Sequence, residues 1–239
     1  MDRITPTLRP GGPPQGFQRW HRLIFSHWEV PGAALRALVP NTLELDTFEG
    51  RFYVGVVAFT MQNVRPLRWA PSIPGATEFG EINVRTYVHH AGREPGVYFF
   101  SLDAASTLVV WAARAFWGLP YHRATISIQD SPSDLSYQCT RGRGSLAFCA
   151  QARVGAALPA PAVNTLEYFL CERYQFYAHR RGRLQRARVH HAPYSLNRVE
   201  HVAVDNSLLA AAGLPCDGAR PPDLFSPGVD VEVFGLEDV

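Results

Sequence analysis

The hydrophobic and polar positions of this chain alternate in short runs, and one run stands apart. Glu81-Ile82-Asn83-Val84-Arg85-Thr86-Tyr87-Val88 alternates strictly, which is the period of a strand with two different faces. One face carries Ile82, Val84, Thr86 and Val88. The other carries a carboxylate, an amide, a guanidinium and a phenol in register, from Glu81, Asn83, Arg85 and Tyr87. Read alone, such a strand is half-exposed, with its polar face wet and its charges paired across strands. The same four groups would orient a small polar molecule if that face looked into a cavity.

Other runs fill in the frame. Residues 1–16, rich in proline and glycine, read as an irregular N-terminal arm, and residues 17–239 as a single domain. Arg51 to Met61 is apolar on both faces, as a strand buried on both sides is; Gly55 in its middle marks a bulge or a close approach. Arg65 to Gly80 is proline-rich and reads as a long loop able to cover a site. Val97 to Asp103 is a second strand, forming a hairpin with the run at 81–88.

The strongest helical signal is Ala104 to Trp117. Its Leu108, Trp111, Ala112 and Ala115 make an apolar stripe at helical spacing, and Asp103 stands at the N-cap. Tyr121 to Gln129, Asn197 to Val204 and Gly228 to Phe234 read as strands, and 135–140 with 145–154 and 172–179 with 184–191 as hairpins. Shorter helices are expected from Pro31 to Leu38, from Asn164 (with Glu167 at capping-box spacing) to Leu170, and from Asp205 to Ala212. The total is mainly β (α+β), many strands with two or three short helices, most simply a barrel with peripheral helices.

Composition narrows the function classes. Hydrophobic residues make up 46% of the 239, enough for a substantial core, and the net charge of +2 requires no polyanionic partner. No nucleic acid and no membrane partner is expected, and a homo-oligomer is left open. All 23 basic residues are arginine. Without lysine, no side-chain amine exists for Schiff-base catalysis. Cys139, Cys149, Cys171 and Cys216 lack C-x-x-C spacing and fit reduced thiols of a cytoplasmic protein. No signal peptide and no membrane span is read.

Nine histidines raise the question of a metal, but there is no H-E-x-x-H or H-x-H, so no metal site is expected. Phosphate-loop, dinucleotide and nucleophile-elbow motifs are also absent, so no cofactor is expected. The arginine-rich stretch 179–191 reads as a solvated hairpin tip and outer face rather than a phosphate site. On its second strand Ala187, Val189 and His191 share the apolar side, which points His191 inward, where an imidazole can move protons near neutral pH. At Gly118-Leu119-Pro120-Tyr121-His122 the helix hands over to a strand. Strand parity there turns His122 inward and Tyr121 outward.

Several stretches together resemble the YqjF-like family of uncharacterised bacterial proteins. They include Phe25-Ser26-His27-Trp28-Glu29-Val30-Pro31, Tyr53-Val54-Gly55-Val56-Val57-Ala58-Phe59, the run at 81–88, Gly96-Val97-Tyr98-Phe99-Phe100-Ser101-Leu102-Asp103-Ala104, Leu119-Pro120-Tyr121, Glu172-Arg173-Tyr174 and His191-Ala192-Pro193-Tyr194. That family looks like a branch of the acetoacetate decarboxylase superfamily. The resemblance implies a closed antiparallel β-barrel with a flanking sheet, and it turns the polar face of 81–88 inward. True decarboxylases carry Gly-Tyr-Pro-Lys-Lys after the helix. Here Tyr121 stands where the Schiff-base lysine would be, His122 stands beside it, and Glu81 matches the decarboxylase glutamate. Decarboxylation by an iminium is therefore excluded, while the pocket can survive.

Two readings follow. In one, the protein is an enzyme of lyase, hydratase or hydrolase type acting on a small organic acid or carbonyl compound. Glu81, Tyr121, His122 and His191 are then the catalytic candidates; Arg85, Asn83, Tyr87, Ser101 and Asp103 are the substrate-binding ones. In the other, it is a non-catalytic module that binds or senses a small carboxylate with an apolar body.

Overall fold

The alternating run lies within a strand that is longer than the alternation suggests. The computed structural model describes residues 1–69, 71, 78–131, 134–142, 146–180 and 182–239, with the backbone alone for 146–147 and 201–206. Its strands are β1 (Gly16–Val30), β2 (Glu44–Leu45), β3 (Phe52–Arg65), β4 (Glu78–His90), β5 (Arg93–Ala104), β6 (Tyr121–Asp130), β7 (Asp134–Arg141), β8 (Leu146–Ala157), β9 (Gln175–Arg180), β10 (Arg183–His190), β11 (Asn197–Asn206), β12 (Leu224–Val233) and β13 (Glu237–Asp238). The α-helices of the described residues are α1 (Gly32–Leu38), α2 (Thr107–Trp117), α3 (Leu166–Cys171) and α4 (Ser207–Ala211), one in each of the four stretches read as helical. Of the covering loop expected at 65–80, residues 70 and 72–77 lie outside the described residues, while Arg65 ends β3 and Glu78 already begins β4.

The protein is mainly β. Among the described residues thirteen strands form one sheet in the order β13-β10-β9-β5-β6-β7-β8-β11-β12-β1-β3-β4-β2, with further pairings β10–β12 and β5–β4. Hydrogen-bonded neighbours therefore run from β5 through β6, β7, β8, β11, β12, β1, β3 and β4 back to β5. The pairings are not antiparallel throughout. β5 runs parallel to β6 and to β9. The chain leaves β5, crosses through α2 and enters β6 in the same direction, which a helical crossover imposes.

β1, β3 and β4 are buried on both faces, and the two faces belong to different cores. Ile24, Val54, Val56, Ala58, Ile82 and Val84 pack with Tyr137, Phe148 and Leu209. Phe25, Val57, Phe59 and Tyr87 pack with Phe169, Tyr174, Tyr194 and Tyr121. At about 25 cal/mol per Å² of apolar area removed from water, two such layers supply the main force for folding.

Helix α2 is turned away from its expected orientation. Leu108 and Trp111 of the predicted stripe are 47% and 60% exposed. The inward residues are Val110, buried, with Val109, Ala113 and Trp117 packed on the core of Phe25, Tyr87 and Phe169. Both sets have helical spacing, so an almost wholly apolar helix leaves its buried side undecided. Asp103 is not its cap, because β5 continues to Ala104. Ser106 takes that place and accepts from the Val109 amide at 3.4 Å. Likewise Thr165, not Asn164, caps α3.

The N-terminal arm is pinned down. Arg3 grips Asp46 at 2.5 and 2.7 Å, and Arg9 meets Glu232 at 2.6 Å. Burial works to raise the Asp46 carboxyl, yet the guanidiniums of Arg3 and Arg173 hold it below its ordinary range. The arginines of β10 face the last strand: Arg183 meets Asp238, and Arg186 and Arg188 meet Glu237. No helix among the described residues is long and apolar enough to cross a membrane.

Candidate functional site

The polar face of β4 is buried, each side chain between one neighbour on β3 and one on β5. Glu81 lies between Phe59 and Ala104, Asn83 between Val57 and Leu102, and Arg85 between Gly55 and Phe99. Glu81, Asn83, Arg85 and Tyr87 are 3%, 5%, 8% and 1% exposed. The wet outer face that an alternating strand suggests is thus replaced by a polar row inside the aromatic core.

At one end of the row Tyr121 donates from its hydroxyl to Glu81 Oε2 at 2.8 Å. The parallel register sets Tyr121 beside Leu102, on the Glu81 side, and His122 beside Asp103, on the other. Parity on β6 is correct in that even residues meet an apolar core, but that core is the one away from Glu81. Tyr121 is therefore the inward residue, and His122 is half-buried outside the row. Burial lowers the His122 pKa, with Arg141 adding to it. Burial also raises Glu81 to about 8 against the pull of the Tyr121 hydrogen bond. Its carboxyl is protonated at neutral pH and can give a proton.

At the other end lies Arg85. One Nη2 hydrogen goes to the Leu170 carbonyl, near the C-terminal end of α3, at 3.0 Å. Its Nε finds no acceptor, and among the described residues no carboxylate pairs with it. A guanidinium keeps its charge. The helix-end carbonyl offsets part of that charge, while an unpaired buried ion costs several kcal/mol. Tyr87 donates to the same carbonyl at 2.8 Å and is pushed up to about 12, chiefly by burial.

His27 Nε2 lies 2.8 Å from the Tyr87 hydroxyl. Its ring covers Gly55, where a Cβ would come within 2.9 Å of the imidazole, so the close approach expected at that glycine is made by His27. Burial, with Arg85 adding to it, keeps His27 neutral.

His191 joins this side of the sheet. It is 3% exposed, stacked on Tyr174 and flanked by Tyr194 and Trp20. Burial lowers it to about 4. Glu172, also buried, accepts from the Tyr174 hydroxyl at 2.7 Å and the Tyr194 amide at 2.9 Å, and burial raises its pKa.

Two expected substrate-binding residues are elsewhere. Ser101 and Asp103 pair with Val84 and Ile82, on the opposite face of the sheet from the polar row. Asp103 is locked to Arg141 by two contacts of 2.6 and 2.5 Å. The strand of 97–103 alternates too, and only its register with β4 decides which half faces the row. His27, Trp20, Glu172, Tyr174 and Tyr194 were not singled out by residue chemistry, although all but Trp20 lie in the stretches that carry the family resemblance. Two surface clefts of the described residues, one beside Arg3, Glu172 and Arg173 and one beside Leu158, Leu170 and Arg198, are not lined by Glu81, Asn83, Arg85 or Tyr121. The polar row is packed inside the aromatic core.

The arrangement of strands is that of the acetoacetate decarboxylase-like proteins. Acetoacetate decarboxylase from Legionella pneumophila superposes with a TM-score of 0.69 at 16% identity, over 96% of this chain and 88% of that one. An acetoacetate decarboxylase-like enzyme from Sphingomonas wittichii RW1 gives 0.70 at 12% identity, over 95% and 94%. The sequence is more specific. Residues 17–230 match the DUF2071 family, described as an uncharacterized conserved protein, and the chain belongs to that family. It is 38% identical over 205 residues to the uncharacterized protein YqjF of Bacillus subtilis (strain 168), covering 85% of this chain and 84% of that one.

Proposed function

We propose that this is a cytoplasmic small-molecule protein in which the ring of strand pairings forms a closed barrel and the polar row of β4 receives a small organic acid or carbonyl compound. The observation that carries this reading is Arg85, a buried guanidinium with no carboxylate partner among the described residues. A small carboxylate supplies the missing counter-charge through charge-assisted hydrogen bonds. Some 7 Å per residue pair along the strand separates Arg85 from Asn83 and Asn83 from Glu81, so one end of the ligand is anchored while the other meets the proton on Glu81. Tyr121 orients that carboxyl. This division of labour suits lyase, hydratase or hydrolase chemistry, with proton transfer at Glu81 and no covalent amine intermediate.

The test is a panel of small carboxylic acids followed by thermal shift and by NMR of the ligand after long incubation. Binding is expected in the wild type and is lost in Arg85→Met. If Arg85→Met binds every acid as the wild type does, the reading fails. A ligand that binds through Arg85 and is recovered unchanged assigns the protein to non-catalytic binding or sensing instead.

A further inference from the structure

We infer that the molecule this site accepts is a hydroxy acid, whose carboxylate meets Arg85 and whose hydroxyl donates to Nε2 of His191. The inference rests on the reading above, that Arg85 anchors an anion, and narrows it.

The argument begins with the tautomer of His191. Its Nδ1 lies 2.8 Å from the Ala192 carbonyl oxygen. A carbonyl only accepts, so Nδ1 carries the hydrogen. In the neutral ring Nε2 is then a bare lone pair. The ring is neutral because burial holds its pKa at about 4, with Arg85 among the smaller causes. Geometry places the two groups around one aromatic pair: the Arg85 guanidinium lies 5.8 Å from the Phe25 ring, Phe25 meets Tyr194 at 5.2 Å, and Tyr194 meets His191 at 4.6 Å.

The lone pair is fixed in place. The imidazole stacks on Tyr174 at 4.2 Å with the planes 19° apart, Tyr194 closes in at 4.6 Å and Trp20 at 5.7 Å. Nε2 is buried, and no described residue donates to it. Asn83 Oδ1 is a second buried acceptor without a donor, next to Arg85 on the polar row. Asn83 can turn its amide to suit a ligand, whereas the backbone contact denies His191 that choice.

The site thus offers a cationic donor and at least one obligate acceptor. An unsubstituted acid leaves the acceptor unpaired, and so does an oxo acid, which has no second donor. An amino acid brings a donor, but as an ammonium beside an already unpaired guanidinium, where like charges repel. A hydroxyl is neutral and donates, and it completes the pattern.

Butyrate, 2-oxobutyrate, 2-hydroxybutyrate and 3-hydroxybutyrate share one carbon skeleton and test this by titration calorimetry. At least one hydroxy acid is expected to bind about tenfold more tightly than butyrate and 2-oxobutyrate, the worth of one buried acceptor satisfied rather than left bare. His191→Phe keeps the stacked ring and removes Nε2; it should erase that preference, bringing the hydroxy acid to the affinity of butyrate in the same variant. Independently of any variant, the ¹⁵N shifts of the ligand-free wild type should show His191 protonated on Nδ1. Equal affinity for all four acids, lost together in Arg85→Met, overturns the hydroxy-acid inference and leaves the anion site standing. Protonation on Nε2, or a preference that survives His191→Phe, overturns it as well. Failure of all four acids to bind at about 1 mM overturns both.

Discussion

The two faces of β4 make opposite uses of buried charge. On the Ile82–Val84 side, Asp103 is wholly buried and meets Arg141 with two short contacts. On the other side Glu81 is buried in its protonated form beside a phenol, and the buried charge is Arg85, bonded to a neutral carbonyl with no carboxylate partner among the described residues. A paired charge is part of the framework. An unpaired one costs stability and implies a partner from outside. The contrast separates structural residues from candidate functional ones without appeal to the chemistry of either residue type.

The largest expected effect breaks the paired side. Arg141→Ala leaves the Asp103 carboxylate buried without its partner and should destabilise the fold by about 3–5 kcal/mol in urea titrations. Arg85→Met removes a charge with no carboxylate partner among the described residues, so stability should be unchanged or higher. If both variants lose similar stability, the distinction between the faces is wrong.

Next comes the pH response of Glu81. Its carboxyl is raised from 4.5 to about 8 in the fold. Between those values the folded state holds a proton that the unfolded state has released. Stability should therefore fall as pH rises through this window, with a slope approaching 1.4 kcal/mol per pH unit. Glu81→Gln should remove that slope, as chemical denaturation from pH 4 to 9 would reveal; parallel curves for variant and wild type would count against a protonated Glu81. Gly55→Ala should cost about 1–3 kcal/mol, because its methyl group pushes His27 off the Tyr87 hydroxyl. The smallest effect belongs to Arg188→Ala, whose ion pair with Glu237 is over a third exposed on both sides and is worth at most about 0.5 kcal/mol.

Much of this frame was legible in the sequence. Alternation located β4, apolarity on both faces located β3, and Gly55 announced a close approach. The inward turn of His191 also followed from parity, since Ala187 and Val189 share its side and are buried. What parity could not supply was the number of cores. For Tyr121 and His122 it correctly identified an apolar side, but a sheet buried on both faces has two such sides. Ser101 and Asp103 were placed on the wrong side for a related reason: they depend on a pairing register between β4 and β5 that includes an irregularity at Val84/Arg85. The outward stripe of α2 could not be told from its inward one, since both are apolar. Glu172 and His27 needed tertiary neighbours to become interesting at all.

The double burial of β4 also bears on how the chain reaches its native pairing. Side chains alternate with a period of two, so a slip of one residue against β3 would exchange the faces completely. Glu81, Asn83 and Arg85 would enter the layer of Val56 and Tyr137, while Ile82 and Val84 would meet the tyrosines and the Leu170 carbonyl. A strand with one wet face can tolerate such a slip for a time. Here each misplaced residue is penalised on whichever side it lands, so the pairing of β3 with β4 proofreads itself during assembly.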